Sequence, residues 1–196
     1  HWTGNFDEIQ DFEGQIRGLN LGLGFLSNPQ FAATSNPLGA PKAGLNPDLD
    51  ALAAYVDSLT TAPASPHRPN TEGPGAGALG ASAQQGLVAF AHHGCLGCHA
   101  LSKLTDSPAL ARHDVGTLRP SSGQRLGAPI DGFDTPGLLG VFADPPYLHD
   151  GRAATLEAAI TGHAGFASLP PATVAELVAF LREAESSDLA PFVDAD

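Results

Sequence analysis

The sequence predicts an all-α fold in which short helices are joined by long, ordered loops. Hydrophobic residues make up 42% of the 196 residues, enough to pack a core, whereas only 15% are charged. Glycine (23) and proline (17) are frequent, and both residues favour turns over long regular elements. Apolar residues nevertheless recur at helical spacing in residues 46–59, 81–90 and 169–182, and the first and last of these stretches have an early proline.

The charge of the chain argues against a nucleic-acid partner, and its hydropathy argues against a membrane-spanning helix. The formal net charge is −12, with only 9 Lys and Arg residues. Nucleic acid is therefore not an expected partner, because the neutralisation of phosphates requires Lys and Arg. An acidic surface favours basic partners instead. No apolar run approaches the roughly 18 residues that a membrane-spanning helix needs, so no membrane span is expected in this chain.

Both cysteines lie in one motif, Cys-Leu-Gly-Cys-His, at residues 95–99. This is the C-x-x-C-H signature of c-type haem attachment. Two thiols at this spacing can reach the two vinyl groups of one porphyrin, and the histidine that follows offers a neutral nitrogen to the iron. A redox C-x-x-C is typical of a βαβ context, and a structural zinc site needs a second ligand pair; the sequence contains neither pattern.

We therefore predict one covalent haem c, bound through Cys95 and Cys98, with His99 as the proximal iron ligand. The residues before the motif, 81–90, are expected to form the short amphipathic helix that leads into it. Because the thioether bonds of haem c form outside the cytoplasm, this prediction implies an exported protein, periplasmic or extracellular.

Residues 62–80 are rich in proline and glycine and are predicted to be a linker between segments 1–61 and 81–196. Both segments end in a similar helix. The motif His-Trp-Thr-Gly at residues 1–4 corresponds to His-Asp-Gly at residues 149–151, and a helical stretch follows each motif. These similarities predict an internal repeat, in which segment 1–61 is the back half of a haem domain without its own C-x-x-C-H. Either the first half lies upstream of His1, which the start of the chain on the repeated motif favours, or the first domain has lost its haem.

Segment 81–196 resembles the C-terminal domain of the bacterial di-haem cytochrome c peroxidase family. The resemblance rests on residues 94–99, on His-Asp-Val-Gly-Thr at 113–117, on Asp-Thr-Pro-Gly-Leu-Leu-Gly-Val at 134–141, on Pro-Pro-Tyr-Leu-His-Asp-Gly at 145–151, and on Thr-Leu-Glu at 155–157 with the terminal helix. Segment 1–61 resembles, more loosely, the tail of the family's N-terminal domain.

The resemblance implies a cytochrome c-like haem domain in segment 81–196, preceded by a partial cytochrome c-like lobe in segment 1–61. In this family the haems serve peroxide reduction, oxidation of another protein, or electron transfer. The resemblance also implies a Ca²⁺ ion between the lobes, although the scattered aspartates of this chain match no recognisable ligand loop.

The sixth iron ligand is predicted from the same resemblance. The family places a distal ligand, often Met, just after the Thr-Leu-Glu helix, but this chain contains no Met. Counting along the family's pattern brings the ligand position to His163, which has glycines at 162 and 165. We predict bis-histidine ligation by His99 and His163. An exposed loop histidine is the alternative interpretation of His163, and His113 is then the second candidate for the distal ligand.

Other residues are expected to surround the haem. His149 is expected to form hydrogen bonds near the haem or near the contact between the lobes, and His1 to border an upstream haem. An arginine that the family often has near position 139 is absent, so Lys103, Arg119 and Arg125 are the expected donors to the haem propionates. The expected apolar walls are Phe90, Leu96, Leu101, Leu138, Leu139, Val141 and Phe142. Three further histidines, His67, His92 and His93, are expected to be solvated.

Two functions are consistent with these features. The favoured one is an electron-transfer cytochrome c within a larger or multi-haem assembly, whose partner is a redox protein or a neighbouring haem subunit. The alternative is the electron-relay domain of an enzyme similar to di-haem cytochrome c peroxidase. Iron closed by two histidines suits electron transfer, whereas five-coordinate iron can bind peroxide. Glu8 and Glu13 are available for acid–base work, but both are more typical of solvated helix residues, so we predict no catalytic residue in this chain.

Overall fold

The computed structural model describes residues 2–19, 22–60, 62, 64–69, 77–100, 103–185 and 188. The chain is mostly helical with little sheet. It divides into two compact units, the first formed by Thr3–Thr61 and the second by Trp2 together with Ala62–Asp196. The helices are α1 (Glu13–Gly18), α2 (Asn28–Ala33), α3 (Pro47–Asp57), α4 (Ala81–His92), α5 (Leu156–Thr161) and α6 (Pro171–Glu183). Within the described residues, no helix is long and apolar enough to cross a membrane.

The loops contain short elements that an all-α prediction leaves out. Strands β1 (Arg112–His113) and β4 (Phe133–Asp134) pair antiparallel, as do β2 (Gln124–Arg125) and β3 (Ala128–Pro129). Each strand is only 2 residues long, too short to show an alternating apolar pattern in the sequence. The mostly helical content is therefore confirmed, whereas a strictly all-α fold is not.

In the first unit, side-chain oxygens of Asn46 and Glu13 accept hydrogen bonds from backbone amides. The Asn46 side chain caps α3 by accepting from the amides of Asp48 and Leu49. Glu13 is fully buried and accepts hydrogen bonds from the amides of Phe25 and Leu26.

The same unit shows that Glu13 is not solvated, contrary to the sequence-based expectation, and that Glu8 is half-buried. Glu8 accepts from the amides of Lys42 and Ala43. Loop amides that have no secondary-structure partner are satisfied by such acceptors, and the sequence pattern around the two glutamates did not reveal these distant amides.

The second unit is built around the crossing of α4 and α6. A Cβ atom placed on Gly86 would lie 2.0 Å from the carbonyl oxygen of Glu176, so the two backbones approach as closely as a glycine permits. One turn further along α4, the Phe90 ring lies 5.2 Å from the Phe180 ring, centroid to centroid. The buried core around this crossing comprises Phe90, Leu104, Leu156, Ile160, Val174, Leu177, Val178, Phe180, Leu181 and Ala184.

Part of the predicted linker packs on the end of α6. Ser65 Oγ donates to the carbonyl of Arg182, and Arg68 Nε donates to the carbonyl of Glu183 at 2.9 Å. Both Ser65 and Arg68 are buried. His67 between them is exposed, as expected. Its ring packs edge-to-face with that of Phe142, with the two centroids 5.2 Å apart. Residues 70–76 of the same stretch lie outside the described part of the chain.

Candidate functional site

A cavity of about 500 Å³ opens in the second unit. It is lined by the C-x-x-C-H segment, by residues 113–117, by residues 133–139, by the loop before α5, and by α5 itself. Its apolar walls come from Phe90, Phe133, Leu138, Leu139, Val141, Tyr147, Leu156, Ile160, Leu177 and Leu181. The residues predicted to bind the haem, Cys95, Cys98, His99 and His163, all line this one cavity. The fold thus places His163 in the same cavity as the motif at 95–99, although more than half of the length of segment 81–196 separates them in the sequence.

The His99 ring is oriented by a backbone carbonyl. A 3-10 turn at Cys95–Gly97 precedes it, and the His99 amide donates to the carbonyl of Cys95 at 2.9 Å. His99 Nδ1 lies 3.1 Å from the carbonyl oxygen of Leu104, so the proton sits on Nδ1 and the lone pair stays on Nε2. Burial lowers the pKa of His99 to about 4, although the carbonyls of Leu104 and Pro136 act in the opposite direction. The ring is therefore neutral near pH 7, the form that binds metals.

His163 is held in a similar way at the end of α5. Its Nδ1 lies 2.8 Å from the carbonyl oxygen of Ala159, and this hydrogen bond again leaves Nε2 for a ligand. Such a carbonyl partner is typical of histidines that bind metals, because it fixes both the tautomer and the ring orientation. The positive charge that His163 can carry contributes to the lowered pKa of His99.

The two cysteines are free thiols, both half-buried. Burial raises the pKa of Cys95 to about 11. Burial and the charge of Asp106 also raise the pKa of Cys98. A catalytic C-x-x-C pair requires a lowered thiol pKa, so these values argue against dithiol redox chemistry.

Two further histidines line the cavity. His113 Nε2 lies 2.6 Å from Asp106 Oδ2, so this nitrogen is already bound. His149 stacks on Phe133, with ring centroids 4.0 Å apart, and its Nε2 lies 3.0 Å from Ser122 Oγ. Sequence reasoning did not identify Asp106, Ser122 or Phe133, because none of them stands in a motif and their contacts join distant parts of the chain.

Several residues expected around the haem lie elsewhere. Leu96 and Phe142 do not line the cavity, and neither do the expected propionate donors Lys103, Arg119 and Arg125. The Arg119 guanidinium is bound instead to the carbonyl of Leu118 at 2.8 Å. The spacing of these residues in the sequence does not show which of them line the cavity. Two other residues with predicted roles, His1 and Leu101, lie outside the described residues.

The residues of the cavity fit a haem. The walls are apolar, two thiols stand at the spacing of thioether attachment, and two imidazoles have Nε2 atoms not taken up by the hydrogen bonds that orient them. Among the described residues, no group of three or more His, Cys, Asp or Glu side chains could hold a metal ion by itself. The Ca²⁺ ion between lobes stays a prediction.

Comparisons with known proteins reveal distant similarity. No protein-family model matches the sequence. The chain is 31% identical over 129 residues to the methylamine utilization protein MauG of Methylorubrum extorquens, an alignment that covers 60% of this chain and 35% of MauG. The chain thus spans about a third of the length of this curated relative. A chain in the structure of Kuenenia stuttgartiensis hydrazine synthase pressurized with xenon superposes with a TM-score of 0.53 at 25% identity, over 71% of this chain and 56% of that one.

Proposed function

We propose that this chain is a c-type cytochrome that carries electrons through one covalent haem in the cavity of the second unit. The proposal rests on one observation. His99 and His163 line the same apolar cavity as Cys95 and Cys98, and each has its Nδ1 bound to a backbone carbonyl. The haem, when bound, supplies an iron that exchanges one electron. Cys95 and Cys98 would anchor it by thioether bonds, and His99 and His163 would bind its iron.

The chain's own residues prepare this site. The carbonyls of Leu104 and Ala159 hold the two imidazoles in the tautomer that presents Nε2 to the cavity. The apolar walls exclude water, which favours transfer of an electron over exchange of ligands. Because His99 and His163 would both bind the iron, no open position would remain for peroxide, and we favour electron transfer over catalysis.

We further propose that segment 1–61 is a partial cytochrome c-like lobe, that 62–80 links it to the haem domain at 81–196, and that the chain belongs to the di-haem cytochrome c peroxidase family. Gly4 and Gly151, at equivalent places in the repeat, both have a left-handed backbone with φ of 57° and 68°. Helices α3 and α6 each carry an aromatic residue near the C-terminal end. Phe180 of α6 is fully buried against α4, whereas Tyr55 of α3 is 63% exposed. Among the described residues of segment 1–61, no helix crosses α3 as α4 crosses α6, and this supports the proposal of a partial lobe.

The partner and the location follow from this proposal. The partner is a redox protein or a neighbouring haem subunit, with a basic contact surface that complements the net charge of −12. Covalent haem attachment places the protein in the periplasm or outside the cell. The alternative function, an electron-relay domain of an enzyme similar to di-haem cytochrome c peroxidase, is favoured by the predicted repeat and by the 31% identity to MauG over 129 residues.

Spectroscopy of the exported protein tests the proposal. The chain is produced with a signal peptide in a bacterium that matures c-type cytochromes, and the mass of the product shows whether one haem is attached. The ferric protein should give a low-spin bis-histidine signal in electron paramagnetic resonance. This signal should turn high-spin in His163→Ala and stay unchanged in His92→Ala, which alters an exposed histidine. A haem-free product refutes the proposal, and a high-spin wild type that reacts with peroxide favours the enzyme instead.

A further inference from the structure

We propose that His149 binds a carboxylate of the haem through Nδ1, in a cavity without a lysine or arginine to do so. The inference rests on the proposed function, because the carboxylate belongs to the haem that the cavity is proposed to bind. It assigns to His149 a direct contact with this group.

The first step is an unsatisfied nitrogen. Among the described residues, three buried side-chain atoms have no hydrogen-bond partner, namely Asn5 Oδ1, Asp106 Oδ1 and His149 Nδ1. The first two are oxygens, which accept hydrogen bonds, and only the nitrogen of His149 can donate one to an anion. The His149 side chain is 8% exposed and lines the cavity. A buried polar atom without a partner is unfavourable, and a ligand that completes the hydrogen bond removes this penalty.

The second step concerns the proton on the ring. Ser122 Oγ accepts from the amide of Arg119 at 2.9 Å and lies 3.0 Å from His149 Nε2. With one lone pair already used, the hydroxyl proton is free to donate to Nε2. The neutral ring then carries its own proton on Nδ1, where it can donate to a carboxylate. The stacking on Phe133 and the hydrogen bond to Ser122 hold the ring in this orientation.

The third step is the absence of a cation. None of the described residues that line the cavity is a lysine or an arginine, whereas Asp114, Asp134 and Asp144 are among them. The residues that line this cavity therefore offer a haem carboxylate neutral donors and imidazoles, but no cation. The other imidazole outside the iron-binding pair, His113, already has its Nε2 on Asp106. His149 is left with a free donor.

The expected energetic effect is large enough to measure. A hydrogen bond to a charged group contributes about 1.5–3 kcal/mol, which corresponds to about 1–2 units in the pKa of the carboxylic acid that it stabilises in the ionised form. The other charged groups near His149 are Asp150, whose Oδ2 lies 4.0 Å from Nε2, and Arg152, which pairs with Asp150. On the neighbouring strand β4, Asp134 adds negative charge to the same wall.

The experiment compares matured holoproteins. His149→Leu removes the donor, His149→Asn keeps an N–H group close to the position of Nδ1, and His92→Gln is the matched control at an exposed histidine. Each protein is examined by mass for covalent haem, by resonance Raman spectroscopy for the propionate-bending bands, and by the pH dependence of the reduction potential. In His149→Leu, these bands should shift to lower frequency, and the acid inflection of the potential should move up by about 1–2 pH units. His149→Asn should restore most of both values, and His92→Gln should match the wild type.

A measurement on the wild type keeps the proposal testable if His149→Leu does not fold. In the diamagnetic ferrous protein, ¹H–¹⁵N spectra should show a slowly exchanging Nδ1–H of His149 with a nuclear Overhauser effect to the propionate methylene protons. Propionate bands and pH dependence that are unchanged in His149→Leu, or a wild type without this Nδ1–H contact, overturn the inference while the cytochrome function stands. A wild type that carries no haem overturns the proposed function itself.

Discussion

The α-carbon of Gly86 faces the backbone carbonyl of Glu176 so closely that a Cβ atom would stand 2.0 Å from the oxygen. The crossing of α4 over α6 therefore requires glycine at this position. We expect Gly86→Ala to destabilise the protein by about 2–3 kcal/mol or more, since the two helices must move apart to relieve the overlap. Urea unfolding of the holoprotein measures this change. Gln85→Ala, an exposed substitution in the same helix, should change stability by less than about 0.5 kcal/mol. A Gly86→Ala protein as stable as this control would contradict the close crossing.

The helices at this crossing could be predicted because their signals are local. The expected stretches 46–59, 81–90 and 169–182 match Pro47–Asp57, Ala81–His92 and Pro171–Glu183 to within a few residues. Helix α2 was not predicted, although Ser27 and Gln30 form a capping box at its start. The two-residue strands could not be predicted, because each is too short to show an alternating apolar pattern. In addition, β1 pairs with the distant β4, whereas β2 and β3 are joined by a short turn.

The pKa of Glu13 predicts how the first unit responds to acid. Burial raises this pKa, but hydrogen bonds from the Phe25 and Leu26 amides and from Arg17 outweigh burial, so the pKa lies below its ordinary value of 4.5. A lowered folded-state pKa stabilises the fold above pH 4.5, and this contribution is lost as the pH falls through the folded-state pKa. We expect the protection factors of the Phe25 and Leu26 amides to fall over this range.

The variant Glu13→Gln isolates this carboxylate. It should lose about 1–3 kcal/mol of local stability at pH 7, because the amide cannot replace the charged acceptor. It should also lose the acid-dependent part of the protection at Phe25 and Leu26. Hydrogen exchange with mass spectrometry provides the measurement, and Asp48→Asn, at an exposed position, is the control. Equal acid dependence in Glu13→Gln and wild type would assign the effect to another group.

The buried ion pair of the first unit predicts a double-mutant effect. Lys42 Nζ lies 2.6 Å from Asp11 Oδ1, and the two side chains are 2% and 0% exposed. Lys42→Met should cost about 3–5 kcal/mol, because it leaves the Asp11 carboxylate buried without its partner charge. Lys42→Met combined with Asp11→Asn should recover a large part of this loss, since the neutral amide costs less to bury. Additive losses in the double variant, measured by urea unfolding, would show that the two side chains are not energetically coupled.

The parts of the candidate site differ in how far the sequence predicted them. Cys95, Cys98 and His99 are adjacent in one motif, so spacing alone was enough. His163 was predicted only by counting along a family resemblance, and it lines the same cavity. The partners that orient the rings, such as the carbonyl of Leu104, are backbone atoms, and no residue type marks them in the sequence. The contacts of His113 with Asp106 and of His149 with Phe133 depend on loop conformation, which local patterns do not determine.

The choice of axial ligand predicts a change in reduction potential. In the proposed site, imidazole from His163 stabilises ferric iron better than a thioether does. We expect His163→Met to raise the reduction potential by about 0.1–0.3 V, because Met stabilises the ferrous state. Potentiometric titration followed by optical spectroscopy measures the change, with His92→Met as the control. An unchanged potential in His163→Met would show that His163 does not bind the iron.

The contact between Arg68 and the end of α6 predicts that the described part of the Pro/Gly-rich stretch behaves as part of the fold. Arg68 Nε donates to the carbonyl of Glu183, its guanidinium pairs with Asp188, and its side chain is 3% exposed. A cation at a helix C-terminus is favourable because it also offsets the helix dipole. Arg68→Met keeps an apolar stem but removes all of the side chain's donors. The Glu183 carbonyl then loses this hydrogen bond, and Asp188 loses its partner charge and keeps the hydrogen bond from the Glu185 amide.

We expect Arg68→Met to cost about 1–3 kcal/mol and to release residues 64–69 from α6. Limited proteolysis should then cleave this stretch several-fold faster than in the wild type, and amide exchange at Ala184 should accelerate. His67→Gln changes the neighbouring exposed residue and should leave both rates unchanged. If the wild type is already cleaved at residues 64–69 as fast as Arg68→Met, the stretch is a free linker and the contact does not contribute to stability. A large difference between the variants shows that a proline-rich composition does not exclude tight packing when one buried arginine supplies donors to a helix end.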